Sequence, residues 1–238
     1  MSIKNILVIH MKLSIIMPVY NEKNTIEEII RRVCAVAGIE KELIIVDDFS
    51  TDGTREFLKE YMDDCNIKVL FHDKNFGKGM AIRTGIKNVT GDMVIIQDAD
   101  LEYDPNDYLK LVKPIVEDGA DVVYGSRLLS HKNKMSYLRY FIGGQIVTWF
   151  TNLLYRSSLT DEPTCYKLFR ADLLKSLRLN CKRFEFCPEV TAKVRKRRVK
   201  ITEVPISYEP RKIKEGKKIT WKDGLQAIWT LLKYRFKD

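Results

Sequence analysis

Along the first hundred residues, hydrophobic positions alternate between two rhythms. Short β-branched runs at Leu13 to Met17, Leu43 to Val46, Ile67 to Phe71 and Met93 to Gln97 are separated by stretches with apolar residues at helical spacing. That alternation predicts βαβ units around a mostly parallel sheet flanked by helices. Ile26, Ile29, Ile30, Val33 and Ala37 mark a first helix behind the cap candidates Asn24 and Thr25. A second helix is expected to begin near Thr51-Asp52-Gly53, and a third to follow Gly77-Lys78-Gly79 and end near Asn88.

Beyond Glu102 the rhythm loosens. A helix is expected near 105 to 117, strands at Asp121 to Tyr124 and Val199 to Ile206, and a helix near 187 to 197. The tail from Ile219 carries Trp221, Leu225, Ile228, Trp229, Leu232 and Phe236 at helical spacing, interleaved with Lys222, Lys233, Arg235 and Lys237. With no repeat or linker, the pattern predicts one compact domain over 12–210, divided into halves 12–102 and 103–210, and a basic amphipathic helix over 211–238. Residues 1–11 hold a short apolar stretch before Met11-Lys12, which leaves Met1 or Met11 as the start, or an added strand.

Composition narrows the classes. A chain of 238 residues, 45% hydrophobic and 31% charged, has the apolar material for a large core, which excludes collagen-like and wholly disordered readings. The net charge of +9 favours an anionic partner. Five cysteines (34, 65, 165, 181 and 187) form no CxxC pair, which fits a reducing cytosol. His10, His72 and His131 lack zinc-ligand spacing. The uncharged run Tyr140 to Tyr155 is too short and too polar to span a bilayer but can lie flat at its surface.

The candidate chemistry gathers where the predicted strands end, which is where ligands bind in open α/β sheets. Asp98, Asp100 and Glu102 share one parity, so in extended chain their carboxylates fall on one side, about 6.6 Å apart. Hard divalent cations take such oxygens and bridge to phosphates; the plain alternative is a solvated acidic strand end. Asp47 and Asp48 can accept from a base or ribose, or simply cap the next helix. Gly77-Lys78-Gly79 allows close approach to an anion, with Lys78 as a point charge, or is an ordinary glycine-rich turn. It is neither a Walker loop nor a dinucleotide fingerprint.

In order and spacing, Pro18-Val19-Tyr20-Asn21-Glu22, Val46-Asp47-Asp48 through Thr54, Asn75 through Ala81 and Asp98-Ala99-Asp100 resemble family 2 glycosyltransferases with the GT-A, Rossmann-like nucleotide-diphospho-sugar transferase fold. Tyr124-Gly125-Ser126-Arg127, Phe184-Glu185-Phe186 and Glu203-Val204-Pro205-Ile206 are similar to the polyprenyl-phosphate hexosyltransferases of the dolichol-phosphate mannose synthase type. The resemblance implies an inverting transfer of mannose or glucose from GDP-mannose or UDP-glucose to a dolichyl or undecaprenyl phosphate at the cytoplasmic membrane face, with Mg²⁺ or Mn²⁺ as cofactor. It implies that Pro18, Tyr20, Glu22 and Asp48 hold the nucleotide, that Asp98 lies near the ribose or sugar, and that Asp100 and Glu102 hold the metal. Arg127, Arg139 and Arg211 are then expected to face phosphates.

Three positions depart from the family pattern. Glu102 stands where Gln is common, Gly143 where a Ser often touches the acceptor phosphate, and Thr164-Cys165-Tyr166-Lys167 replaces Ser-Gly-Phe-Arg. Transfer to a glycan or lipid-linked sugar hydroxyl is the alternative, and Asp161 is the candidate base for it; on a phosphate acceptor Asp161 instead orients basic side chains. A phosphate needs no base. The basic amphipathic tail and the 140–155 run suit an anionic membrane surface, or their aromatics are core. Nucleic acid is not expected as a partner, because the acidic strand ends repel phosphate. A nucleotide-sugar sensor without turnover remains a competing reading, and processive synthesis is disfavoured because Thr148 stands where QxxRW requires Arg.

Overall fold

A computed structural model describes residues 9–61, 66–134, 137–211 and 220–237, with the side chains of Ile9 and His10 left aside. Cys65, residues 1–8 and the 212–219 start of the expected C-terminal helix lie outside the described residues. Seven strands form one sheet in the order β3-β2-β1-β4-β6-β5-β7. These are β1 (Ile9–Val19), β2 (Ile39–Asp47), β3 (Ile67–Phe71), β4 (Met93–Ile96), β5 (Val122–Ser126), β6 (Lys167–Arg170) and β7 (Ile201–Pro205).

The first four strands pair in parallel, as the βαβ rhythm requires. Helices α1 (Ile26–Ala35), α2 (Thr54–Leu58) and α3 (Lys78–Ile86) connect them. The central strands are buried on both faces and therefore read as unbroken apolar runs: Leu13, Ile15, Ile16 and Met17 beside Ile44, Ile45 and Val46. β5 and β7 are parallel to each other, but β6 enters between β4 and β5 antiparallel to both. Neither β6 nor the helix after it, α6 (Ala171–Ser176), was expected from the pattern. Four residues with a Lys at one end and an Arg at the other carry too few alternations to signal a strand, and the pairing is made entirely by distant partners.

The second half adds α4 (Tyr108–Asp118), α5 (Leu138–Tyr155), α7 (Phe186–Lys196) and α8 (Trp221–Phe236). α8 opens on a capping box between Thr220 and Asp223. A smaller apolar cluster, including Val147, Tyr155, Ala192, Leu231 and Tyr234, binds α5, α7 and α8 together away from the main core. Tyr155 reinforces it by donating to the Leu231 carbonyl at 2.6 Å. No helix among the described residues is long and apolar enough to cross a membrane.

The Gly77 turn owes its glycines to packing. Gly77 has φ +93°, and a Cβ there would overlap the Lys182 carbonyl oxygen, which also accepts from Met80 N at 3.1 Å. A Cβ on Gly79 would lie 2.8 Å from the Arg183 carbonyl oxygen. The turn thus docks on the 181–183 backbone, and that contact sets where Lys78 begins its helix. Gly77→Ala should lower the unfolding free energy by about 2–3 kcal/mol, from backbone strain plus the clash. Gly119→Ala, at φ +66° with open space around it, should lose only about 1 kcal/mol. Urea denaturation of the two variants measures the difference.

Candidate active site

The loops after β1 and β2 are tied to each other at the carboxyl edge of the sheet. Asp48 N donates to the Val19 carbonyl at 2.8 Å, Asn21 N to Ser50 Oγ at 2.9 Å, and Thr51 N to Asn21 Oδ1 at 2.8 Å. Asn21 and Phe49 both take positive φ there, at 51° and 67°. Tyr20 and Phe49 are both left exposed in this loop pair. Pro18 is buried within β1, paired in register with Val46, so it shapes the strand end and does not face solvent.

The two adjacent aspartates do different work. Asp48 accepts from Phe76 N at 2.9 Å, Gly77 N at 2.7 Å and His72 Nδ1 at 2.7 Å, so its carboxylate fixes the turn that precedes Lys78. Asp47 is fully buried, accepts weakly from Ser50 N and pairs with Arg55 at 3.3 Å. Asp47 does not cap the next helix, since α2 begins after Gly53 with no side-chain cap bond; its carboxylate holds the Ser50 turn.

The expectation that Asp98, Asp100 and Glu102 share one side of an extended strand is corrected. β4 ends at Ile96, and Asp100 Oδ1 accepts from Glu102 N at 3.1 Å, which bends the chain. The carboxylates therefore part company. Asp98 meets Lys78 Nζ at 2.5 Å. Burial opposes its ionisation, but the Lys78 ammonium outweighs that and holds the carboxyl below its ordinary range. Asp100 is pushed up to about 7, first by burial and then by the charge of Asp98. It is contacted by Arg211 Nη2 at 2.7 Å, and that cation lowers the value without cancelling the rise.

Arg211, expected to face phosphates, instead sits among acids. Its Nη1 lies 3.2 Å from Glu22 Oε2, its Nε 3.8 Å from Glu102 Oε1, and its backbone N donates to that same Glu102 oxygen at 2.9 Å. Among the described residues no group of three or more His, Cys, Asp or Glu is placed to hold a metal ion as it stands. The donors are nevertheless of the type a hard cation takes: carboxylate oxygens of Glu22, Asp100 and Glu102 surround one positive side chain.

A second buried ion pair lies across the cleft. Arg127 Nε and Nη2 donate to Asp161 Oδ2 and Oδ1 at 2.7 and 2.6 Å, and Arg127 N adds a third bond at 2.9 Å. Asp161 is thereby held below the ordinary carboxylate range: burial works against it, and the guanidinium wins. Glu203 of β7 fixes the loop from behind, accepting from Thr160 N at 2.8 Å and Asp161 N at 3.1 Å. Tyr208 joins the two clusters, since its ring lies 5.1 Å beneath the Arg127 guanidinium and its hydroxyl donates to Glu102 Oε2 at 3.0 Å.

One cleft of about 1030 Å³ brings together Lys78, Asp98, Glu102, Arg127, Arg139 and Asp161. Glu22, Asp100 and Arg211 adjoin it through Glu102, whereas Pro18, Tyr20, Asp47 and Asp48 stand outside its walls. Arg139 is exposed at the start of α5, stacked on Tyr140 at 4.8 Å. The cleft continues between α5 and α8, lined there by Gly143, Ile146, Trp221, Leu225 and Ile228. A Cβ on Gly143 would meet open space, so no packing demand explains that glycine. Sequence reasoning did not single out Tyr208, Asn133 or His72. Asn133 holds Arg127 O, Ile206 O and Tyr208 N with one side chain, a role that only the folded path of the chain creates.

The sequence model of the family described as "Glycosyl transferase family 2" matches residues 14–178. The chain belongs to glycosyltransferase family 2. This glycosyltransferase is 29% identical to the dolichol-phosphate mannosyltransferase of Pyrococcus furiosus, over 94% of the chain and 64% of that relative. It is 27% identical to an undecaprenyl-phosphate 4-deoxy-4-formamido-L-arabinose transferase of Klebsiella pneumoniae, over 87% and 62% respectively. It therefore spans somewhat under two thirds of the length of both. It is 31% identical to the UDP-N-acetylglucosamine–dolichyl-phosphate N-acetylglucosaminyltransferase of Methanococcus voltae, over 81% of the chain and 83% of the relative. Among solved structures it is similar to glucosyl-3-phosphoglycerate synthase from Mycobacterium tuberculosis with UDP, at TM-score 0.74, 18% identity, and coverage of 95% of this chain and 80% of that one. The same enzyme with Mn²⁺, UDP and phosphoglyceric acid gives TM-score 0.72, 20% identity, and coverage of 96% and 80%. At such identities the likeness is one of fold, the GT-A arrangement expected from the sequence.

Asp161→Asn removes the charge opposite a buried guanidinium and should cost roughly 3 kcal/mol of stability. Denaturant unfolding of the variant beside the wild type checks this; a solvated catalytic carboxylate would give a change near zero.

Proposed function

We propose that this glycosyltransferase moves a hexose, mannose or glucose, from GDP-mannose or UDP-glucose to a polyprenyl phosphate at the cytoplasmic face of a membrane. The observation that carries this reading is the state of Asp161. Both of its oxygens are engaged by Arg127 and its proton affinity is lowered, which suits a carboxylate that positions a cation and not one that takes a proton from a hydroxyl. A phosphate monoester arrives already anionic and needs a cation. Three relatives from different organisms have names that specify a polyprenyl phosphate acceptor, which supports the same choice.

In the proposed reaction an acceptor phosphate oxygen forms a bond to the anomeric carbon as the bond from that carbon to the diphosphate oxygen breaks. The electron pair leaves with the nucleoside diphosphate, and the sugar inverts. Arg127, held rigid by Asp161 and Tyr208, orients the acceptor phosphate, and Arg139 adds charge at the mouth of the cleft. Lys78 and Asp98 sit where donor sugar and diphosphate meet the sheet edge. Asp100 and Glu102 would hold Mg²⁺ or Mn²⁺, which when bound would supply positive charge for the leaving diphosphate.

Two outward stripes support the membrane placement. On α5, Leu138, Ile142, Ile146, Trp149 and Leu153 face out; on α8, Trp221, Leu225, Trp229 and Phe236 do. Trp149 is 59% exposed and Trp229 66%, so these aromatics are not core. Lys222, Lys233, Arg235 and Lys237 supply positive charge for anionic head groups, and the cleft opens between the same two helices. Cys165, Cys181 and Cys187 are free thiols, as suits a reducing compartment.

Incubation with labelled GDP-mannose or UDP-glucose and dolichyl or undecaprenyl phosphate should give organic-phase label with Mn²⁺ and none with EDTA. Label appearing on a glycan hydroxyl, with none on lipid phosphate, overturns the acceptor. Trp229→Glu should reduce co-sedimentation with phosphatidylserine-containing vesicles severalfold while changing stability by no more than about 0.5 kcal/mol.

A further inference from the structure

We propose that Arg211 is a built-in cation which occupies the divalent ion's place among Glu22, Asp100 and Glu102 and must withdraw before the ion binds. This rests on the assignment of Asp100 and Glu102 as the metal-holding carboxylates.

The segment carrying Arg211 is strapped to the acidic loop by main-chain and side-chain bonds. Tyr103 and Tyr208 form an isolated bridge, Glu209 N donates to the Glu102 carbonyl at 2.9 Å, and Arg211 N donates to Glu102 Oε1. The strap delivers the guanidinium to a spot that three carboxylates, from the β1 loop and from both sides of the bend after β4, approach from different directions.

The chemical fit is poor for the group that is there. A guanidinium is planar and best matched by a carboxylate taking two parallel N–H bonds. Here no carboxylate provides that match. Asp100 accepts from Nη2 alone, Glu22 places both oxygens on the single Nη1 at 3.2 and 3.3 Å, and Nε is buried without a hydrogen-bond partner. Three carboxylates, each meeting a different nitrogen of one side chain, are oxygen donors of the kind a hard divalent ion takes once that side chain leaves. A divalent ion would take oxygens from several directions at once, while Arg211 keeps the acids from repelling each other in its absence.

The consequence is competition. If the arginine-filled state is at least nine-tenths populated, removing the side chain tightens ion binding about tenfold or more. Calorimetric titration with Mn²⁺ alone should therefore give a Kd at least about tenfold lower for Arg211→Gln than for wild type. Millimolar guanidinium should weaken Mn²⁺ binding to Arg211→Ala but not to the wild-type protein. If the variants fold poorly, the wild type supplies its own test: Mn²⁺ should speed phenylglyoxal modification of Arg211, mapped by mass spectrometry. Equal or weaker Mn²⁺ binding by the variants, or unchanged or slower modification, overturns the proposal and leaves the proposed reaction standing. Absence of Mn²⁺ binding by every form overturns both.

Discussion

Carboxylates drawn together around the cleft and away from solvent are the constraint on which this glycosyltransferase depends. Left unpaired, each would be strongly unfavourable, and several together more so. The chain answers by giving Asp98, the Asp100 group and Asp161 separate internal cations: Lys78, Arg211 and Arg127. Each cation comes from a distant stretch of sequence, so the ion pairs also determine which loops meet. The cleft is shaped as much by these three pairings as by the apolar core beneath it.

This arrangement explains why the first half of the fold is plain in the sequence and the second half is not. β1 to β4 are continuous apolar runs with helical spacing between them, and each strand delivers its polar residues at a predictable edge. The second half is assembled by long-range partners. β6 is a strand because β4 and β5 flank it, and Lys167, buried within it, is satisfied by the Glu162 carbonyl and lies 3.8 Å from the Tyr124 ring. Nothing local in Lys-Leu-Phe-Arg announces that environment.

The site divides in the same way. Residue types and their order point to the family, and the acids lie close to where the strand pattern put them. Their mutual geometry was not legible, because parity in an extended chain fails where Asp100 turns the backbone on itself. Asp47 shows the converse: a motif aspartate whose side chain is consumed by the turn it begins. The place of Arg211 follows from a strap through Tyr208 and Glu209, and no spacing rule on either segment predicts it.

Tyr208 bears on both halves of the cleft through one rigid ring, with Arg127 resting on its face and Glu102 at its hydroxyl. The ring has no internal freedom to absorb a shift at one end, so any change in the posture of Glu102 tilts the seat of Arg127. The acidic loop and the guanidinium across the cleft are therefore coupled mechanically. A substitution that reshapes one of them reaches the other through this tyrosine.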